Sequence, residues 1–459
     1  MTAPDASGSY LADRPFPYCK GCGHGLVARR LNEALVRLGL EPRDVVLTSD
    51  IGCVGLVDPL FPRLHTVHTI HGRSTAVATG AVLADGLLGE ARMKNIVMIG
   101  DGGATIGLLH LTQAALMNVD LTVLLHNNML YGMTGGQHSA LTPAGFATTT
   151  TPQGNWVPAL DMEPLLAACR GGFFARQLAT DPDLAHVIAE AIRYPGFALV
   201  EILELCTGYA VPLNPMDGKA LRRLAEADGR RLGVRIRRTD RRPYHAEYRE
   251  RFPVAAPSRE PRASDATAGP ALSHRLGAPM SIVIAGSAGE RVQTAGAVLC
   301  QAAILSDLFC TQKNDYPVTV GSGFSLSEVK LSPEPILATG IERPDAIVIA
   351  SVDGLREIRG RGDLGRLAPG ATVIADESAA SDLAGVPAWV LPLRRALSPA
   401  TAALGGVAAL IGRTGLLEKE ALLRALDVVA PREAEPSRQA AEAAWALATS
   451  SPAATGPTG

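Results

Sequence analysis

Gly100-Asp101-Gly102, followed one β-α-β step later by Asn127-Asn128, limits more than any other feature what this chain can become. Residues 95–100 are apolar up to the closing glycine, as in a buried parallel strand. Residues 104–117 read as a helix, with Ile106, Leu109, Ala114 and Leu116 on its apolar face. Residues 121–125 read as a second buried strand, ending at His126-Asn127-Asn128. A right-handed crossover lays the two strands side by side with both carboxyl ends on one edge, where open α/β sheets take ligands. A carboxylate and an amide then face a gap suited to Mg²⁺, which takes few protein oxygens and fills its shell from phosphate. The glycines Gly100, Gly102 and Gly103 admit a diphosphate close to the backbone, and the following helix offers it free N–H groups. The pattern points to thiamine diphosphate. An ordinary strand-turn-helix with a surface asparagine pair is the competing reading.

Composition narrows the class. A chain of 459 residues is long enough for two or three domains, and its 47 glycines and 32 prolines suit an α/β protein with many strand-helix turns. A net charge of −2 provides no field for nucleic acid or an anionic membrane. The first 17 residues hold no apolar core of a secretory signal, and no apolar run approaches the roughly 20 residues of a membrane helix. A cytoplasmic enzyme is expected.

Seven cysteines in a long chain of this kind suggest metal or redox chemistry rather than disulfides. Cys19 and Cys22 form a C-x₂-C among Gly21, Gly23 and Gly25, opening a helix at Leu26. Cys53 follows the apolar strand 45–48, and Cys206 follows the strand 197–203. Four thiolates hold either a tetrahedral zinc or a [4Fe–4S] cluster. Zinc sites usually pair two short spacings, and here one pair is short. Unrelated core cysteines are the plainer alternative. Cys169, Cys300 and Cys310 sit in apolar stretches and are expected to be buried thiols. The histidines His65, His68 and His71 recur every three residues, but Thr66, Val67, Thr69 and Ile70 favour an extended segment over a helical metal patch.

These residues carry a resemblance. Tyr18–His24 (YCKGCGH), Ser49–Cys53 (SDIGC), His68–Arg73 (HTIHGR), Gly100–Gly103 (GDGG) and Asn127–Gln137 (NNMLYGMTGGQ) resemble the β subunit of 2-oxoacid:ferredoxin oxidoreductases over about residues 15–220. The resemblance implies that Cys19, Cys22, Cys53 and Cys206 bind a [4Fe–4S] cluster. It also implies that Asp101, Asn128 and the Leu130 carbonyl bind Mg²⁺. His71, Gly72 and Arg73 fall beside the diphosphate, with Gly100, Gly102, Gly103, Gly132, Met133 and Thr134 completing the cofactor site. Arg73 would offer a fork of donors to phosphate; a structural arginine at a helix start is the bland alternative. Lys20 stands where the family usually has proline, and Val54 where a small polar residue is common.

The expected architecture is a doubly wound parallel sheet binding thiamine diphosphate (1–216), an Arg- and Pro-rich linker (217–279), a second α/β domain (280–432), then a peripheral helix and tail (433–459). The second domain starts with a strand at 281–285, a Gly286–Gly289 turn and a helix over 290–305; later strands are expected at 346–350, 371–375 and 388–391. With 315–332 and 344–348 it resembles the γ subunit of the same enzymes, so the chain reads as a β–γ fusion. Ala288, Glu290 and Arg291 replace the family's Gly, Gln and Gly, and Glu290 suits a helix N-terminus but repels phosphate, so coenzyme A is not expected on this loop.

The resemblance implies coenzyme A-dependent oxidative decarboxylation of a 2-oxoacid, with electrons leaving through the cluster to ferredoxin or a ferredoxin-like subunit. HisGlyArg leans toward 2-oxoglutarate and related acids. No pyrimidine domain is visible, so the activating glutamate is expected on a partner α subunit, in a dimer of heteromers. A non-redox thiamine decarboxylase or carboligase shares the Mg²⁺ motif but needs no cysteines, and a scaffold or electron-relay subunit would need no thiamine motif.

Overall fold

The computed structural model describes residues 8–89, 91–252, 271–315, 323–383 and 385–450. The Pro- and Arg-rich run 255–264, the stretch 316–322 of the γ-like motif and the tail from 451 lie outside the described residues. The chain divides into two compact units, Met1–Glu260 and Pro261–Gly459.

The first unit is built on a seven-stranded sheet. Its strands are β1 (Val45–Ser49), β2 (His65–His68), β3 (Lys94–Gly100), β4 (Leu121–Asn127), β7 (Phe173–Leu178), β8 (Ala198–Leu203) and β9 (Gly233–Arg237), while β5 (Leu130–Tyr131) and β6 (Gln137–His138) form a separate small pair. The order is β2-β1-β3-β4-β8-β7-β9. All neighbours run parallel except the edge strand β9, which is antiparallel to β7. The winding reverses between β1 and β3, so the carboxyl ends of these strands flank the switch point where such sheets bind ligands. Side chains alternate faces along each strand: Ile96 and Met98 join one core with the helices Gly23–Leu38 and Leu184–Arg193. Val97 and Ile99 join another with Ser74–Leu88 and Leu108–Met117. Burial on both faces explains why these strands read as continuous apolar runs.

Three expectations are corrected here. The helix expected over 104–117 starts at Asp101 and breaks at Gly107 into Asp101–Ile106 and Leu108–Met117. The break resets the helical phase, so Leu111, Ala114 and Ala115 face the core while Ile106, Leu109 and Leu116 are exposed. The expected linker is ordered through residue 251: Gly218–Ala227 is a helix, β9 extends the sheet, and Tyr244–Arg251 is another helix. Its arginines do not prevent this, because Arg230, Arg235 and Arg237 pair with Glu201, Glu163 and Glu190.

The second unit holds β10 (Met280–Ser287), β11 (Phe309–Asp315), β12 (Phe324–Ser332), β13 (Ala346–Ile349), β14 (Thr372–Asp376) and β15 (Trp389–Leu391). Their order is β11-β12-β10-β13-β14-β15, parallel from β10 to β15 with an antiparallel β11-β12 edge. The helix after β10 spans Val292–Ile304. The alanine-rich helix Ala434–Ser450 is not peripheral: Ala441, Ala444 and Ala448 enter the main core of this unit, packed on the helix Ala402–Thr414. Alanine lets the two helices approach closely, which a polar-looking composition conceals.

Candidate functional site

Four strand ends meet at one edge of the first sheet, and the chemistry collects there. Gly100 pairs with His126 in register, so β3 and β4 deliver Asp101 and Asn127-Asn128 side by side. The Asp101 carboxyl is buried; Oδ1 accepts the Gly102 N–H at 2.8 Å, and Oδ2 has no hydrogen-bond partner. Burial pushes this carboxyl up to about 7, a rise that the Ser139 hydroxyl and Gly102 amide offset only in part. A buried acceptor without a donor costs roughly 1–3 kcal/mol, so Oδ2 is a place where a cation adds stability.

The partner turn is held from behind. Asn127 donates from Nδ2 to Glu201 Oε1 at 2.7 Å, and its Oδ1 accepts the Met129 N–H at 3.1 Å. Glu201 is itself bound by Arg176 Nε at 2.8 Å, both fully buried. Met129 takes a left-handed φ of 67°, and its carbonyl accepts the Thr142 hydroxyl at 2.6 Å. Within that turn Asn128 Oδ1 accepts the Leu130 N–H at 3.3 Å.

Asp50, at the end of β1, was not singled out from the sequence as a site residue. Its fully buried carboxylate accepts from His71 Nδ1 at 2.7 Å, the Gly72 N–H at 3.0 Å and the Ser74 hydroxyl at 2.7 Å. It thereby fixes the His71-Gly72 turn and the start of the helix Ser74–Leu88. A Cβ at Gly103 would lie 2.6 Å from Asp50 Oδ1, so only glycine lets this carboxylate pass beneath the Asp101 turn. The structure brings His71 and Gly72 to this turn. Arg73 is exposed and donates to the neighbouring Gly72 carbonyl at 3.3 Å, so its guanidinium is not placed on the site. Thr134 is also exposed, and Met133 is half-buried in the loop between β5 and β6.

The cysteines converge on the same edge. Cys22 N donates to the Cys19 carbonyl at 3.0 Å, Gly23 N to the Leu205 carbonyl at 3.1 Å, and the Thr207 hydroxyl to the Lys20 carbonyl at 3.1 Å. These bonds stitch the C-x₂-C loop to the Cys206 loop. Cys53 opens a short helical stretch after β1. Burial, then the neighbouring Cys22, Cys206, Glu204 and Cys19, push its thiol up to about 12. All four thiols therefore share one neighbourhood, with Cys19 outermost. A Cβ at Gly132 would lie 3.5 Å from Asn128 Nδ2 and 3.6 Å from Cys206 Sγ, so a single glycine separates the asparagine from the cysteines. Of the other thiols, Cys169 and Cys300 are buried as expected, while Cys310 is only half-buried on the edge strand β11.

Between the two groups lies a buried trio that the sequence did not reveal. His24 Nδ1 is 2.8 Å from Glu204 Oε1, and His126 Nδ1 is 3.3 Å from Oε2. Burial would raise Glu204, but the two imidazoles override it and hold the carboxyl at about 2. Burial lowers His126; for His24 the charge of Glu204 reverses the same effect, to about 10. No local spacing announces these partners, because His24 sits in the first turn of the helix Gly23–Leu38, His126 near the end of β4 and Glu204 just past β8.

Each unit of the chain resembles a known protein family. Residues 50–202 match the family described as thiamine pyrophosphate enzyme, C-terminal TPP binding domain. Residues 281–447 match the pyruvate ferredoxin/flavodoxin oxidoreductase family. The chain is 37% identical over 250 residues to the 2-oxoglutarate synthase subunit KorB of Archaeoglobus fulgidus, covering 53% of this chain and 90% of that one. It is 39% identical over 198 residues to the 2-oxoacid:ferredoxin oxidoreductase subunit beta of Saccharolobus solfataricus, covering 42% and 62%. A solved 2-oxoglutarate:ferredoxin oxidoreductase from Magnetococcus marinus is 28% identical, with a TM-score of 0.46 over 54% of this chain and 90% of that chain.

Proposed function

This chain belongs to the 2-oxoacid:ferredoxin oxidoreductase family, and we propose that its first unit binds Mg²⁺-thiamine diphosphate and a [4Fe–4S] cluster side by side on one sheet edge. It is a subunit of such an oxidoreductase, joining a β-type thiamine unit to a pyruvate ferredoxin/flavodoxin oxidoreductase domain. That second domain favours the redox reaction over a non-redox thiamine lyase. The observation that carries the site is the buried, unpartnered Asp101 Oδ2 beside Asn128, one glycine away from Cys206.

The donor sets fit the groups assigned to them. Asp101, Asn128 and the Leu130 carbonyl are hard oxygens suited to Mg²⁺, and the Gly100–Gly103 turn with His71 and Gly72 flanks the phosphates. Cys19, Cys22, Cys53 and Cys206 would hold the cluster. A single zinc with sulfur at 2.3 Å spaces its thiolates about 3.8 Å apart. Among the described residues, His24, His126 and Glu204 also form a compact group, with ligand atoms within 4.8 Å of one another, so the metal content of this edge is decided by analysis for iron against zinc. Bound there, thiamine diphosphate supplies the electron sink for decarboxylation of a 2-oxoacid, and the cluster a one-electron exit toward ferredoxin, with coenzyme A taking the acyl group.

The chain's own residues prepare this chemistry. Asp50 orients His71 and the diphosphate-facing turn. Glu201 and Arg176 brace the asparagine turn. Apolar strands on both sides keep water from the edge. The activating carboxylate and most of the substrate pocket are assigned to a partner α subunit, in a dimer of heteromers. The exposed Ile70, Val77, Ile106 and Leu109, on the turns and first helical turns that follow β2 and β3, support a covering partner. No helix among the described residues is long and apolar enough to cross a membrane. We place the enzyme in the cytoplasm, where thiolates stay reduced, and take 2-oxoglutarate as the first substrate to assay.

Iron and sulfide analysis of the anaerobically purified complex tests the reading, with about four irons per chain expected for a [4Fe–4S] centre. Stoichiometric zinc without iron would defeat it. Brown absorbance should bleach with a 2-oxoacid plus coenzyme A, and bleaching that survives Asp101→Ala would count against the thiamine site.

A further inference from the structure

We propose that Glu204 is a positioning residue shared by both sites, setting the Cys22 thiol through His24 and the Asn127-Asn128 turn through His126. The inference rests on the assignment of the cysteines and Asp101 given above.

Glu204 is fully buried just past β8, and it meets the first turn of the helix Gly23–Leu38 and the end of β4 at once. Each of these three segments carries an assigned ligand two residues away: Cys22 before His24, Asn128 after His126, Cys206 after Glu204 itself. On the cysteine side, His24 Nδ1 is 2.8 Å from Glu204 Oε1 and 3.4 Å from Cys22 Sγ, so one imidazole nitrogen touches both acid and thiol. On the magnesium side, His126 Nδ1 is 3.3 Å from Oε2, and the Glu204 N–H donates to the Asn127 carbonyl at 3.1 Å. The two imidazoles stack with centroids 4.8 Å apart, which couples their orientations. A Cβ at Gly23 would overlap the Glu204 side chain, so the C-x₂-C helix begins directly on this carboxylate.

A carboxylate used only for packing would not need two aromatic partners facing opposite ligand loops. Removing a group that orients ligands typically lowers metal affinity by 10–100-fold. A single acid serving two loops should lower both affinities together. Glutamine can accept from one imidazole and donate to the other, so it preserves the positions while removing the charge.

The test uses the chain with its partner subunit, purified anaerobically as wild type, Glu204→Ala, Glu204→Gln, His24→Asn and His126→Asn. Iron and sulfide content, Mg²⁺ affinity in the presence of thiamine diphosphate by calorimetry, and the electron paramagnetic resonance of the reduced cluster are measured, with circular dichroism as the folding control. Glu204→Ala is expected to lose iron and to weaken Mg²⁺ by 10–100-fold. Glu204→Gln is expected to recover both, but with a shifted resonance signal, because the charge beside Cys22 has gone. His24→Asn should affect the iron alone and His126→Asn the Mg²⁺ alone. A folded Glu204→Ala with either site intact overturns the proposal, as does a Glu204→Gln signal identical to wild type. If Glu204→Ala does not fold, the histidine variants decide: either one disturbing both sites equally, or neither, overturns it. Wild type without iron, or binding thiamine diphosphate without Mg²⁺, instead defeats the underlying site assignment, and this proposal falls with it.

Discussion

In the first unit, the turn after β3 presents Asp101 with one oxygen bound to Gly102 and the other buried and unpartnered. In the second unit, the turn after β10 presents Glu290, whose Oε2 accepts the Ser287 N–H at 2.7 Å and whose Oε1 pairs with Arg394. Both turns follow a buried strand, contain glycine and lead into a helix. The first leaves one oxygen of its carboxylate without a donor, a condition that a cation relieves. The second uses its carboxylate to fill the Ser287 amide of its own turn and meets an arginine, so both of its oxygens are already engaged. Glycine-rich turns between strand and helix thus say little about ligands until the partner of each polar atom is known. The second turn also has Arg291 in a left-handed conformation, φ 55°, paired with Glu433 from the C-terminal helical region.

The contrast is open to attack at several points. Asp101→Ala should remove an ion worth several kcal/mol of catalysis, lowering turnover on the order of 10³-fold. Iron content should stay at the wild-type level, so steady-state kinetics beside iron analysis would separate the two functions. Turnover that persists would mean the open turn is not a cation site.

The scaffold below the open turn should matter nearly as much for stability. Arg176→Met leaves Glu201 buried without its closest cation and should cost roughly 3–5 kcal/mol. Urea unfolding followed through the first unit measures this. A loss under 1 kcal/mol would show that Arg230, 3.6 Å from Glu201, suffices alone.

At the closed turn, Glu290→Ala should destabilise the second unit by about 1–3 kcal/mol, since the Ser287 N–H and Arg394 lose their acceptor. Turnover with saturating substrates should change by less than about twofold, because Glu290 belongs to the second unit and the assigned cofactor residues to the first. A large fall in turnover would give the closed turn a catalytic part and erase the contrast.

The smallest effect concerns a thiol in the second unit. Cys310 Sγ lies 3.6 Å from the Cys300 carbonyl, and the neighbouring Cys300 side chain lowers the Cys310 thiol against the opposing effect of burial. The sign follows directly: a lowered thiol exposes more thiolate at neutral pH, so Cys310 should alkylate faster at pH 7 than an ordinary thiol. Cys300→Ala should move the alkylation midpoint upward and slow the reaction at pH 7. Iodoacetamide labelling against pH, read by peptide mass, gives the answer.

The legible parts of the fold were those where one strand reports on itself. Residues 95–100, 121–125 and 281–285 are strands because they are apolar throughout, and both faces of each sheet are covered. The adjacency of the strands that lead to Asp101 and Asn128 was legible because β3 and β4 are consecutive and joined by one helical crossover. Less was legible wherever a residue's partner is distant in the chain. Ile106, Leu109 and Leu116 looked like a core face, but the break at Gly107 turned them outward. Residues 218–251 looked like a linker because their arginines are conspicuous and their glutamate partners are elsewhere. Asp50 was part of a motif, yet its grip on His71, Gly72 and Ser74 needs β1 and the start of a helix more than twenty residues later.

The set of four thiols was implied only by the family resemblance; by itself the sequence determined the sheet class, the strand that leads into Asp101 and the asparagine turn after the next strand. These follow from local periodicity and spacing, which act along the chain. Only the tertiary structure decided that Asp101 keeps a bare oxygen, that Glu290 does not, and that Glu204 joins His24 to His126. Burial and charge pairing are properties of what surrounds an atom, and folding brings those surroundings from residues up to 180 positions apart.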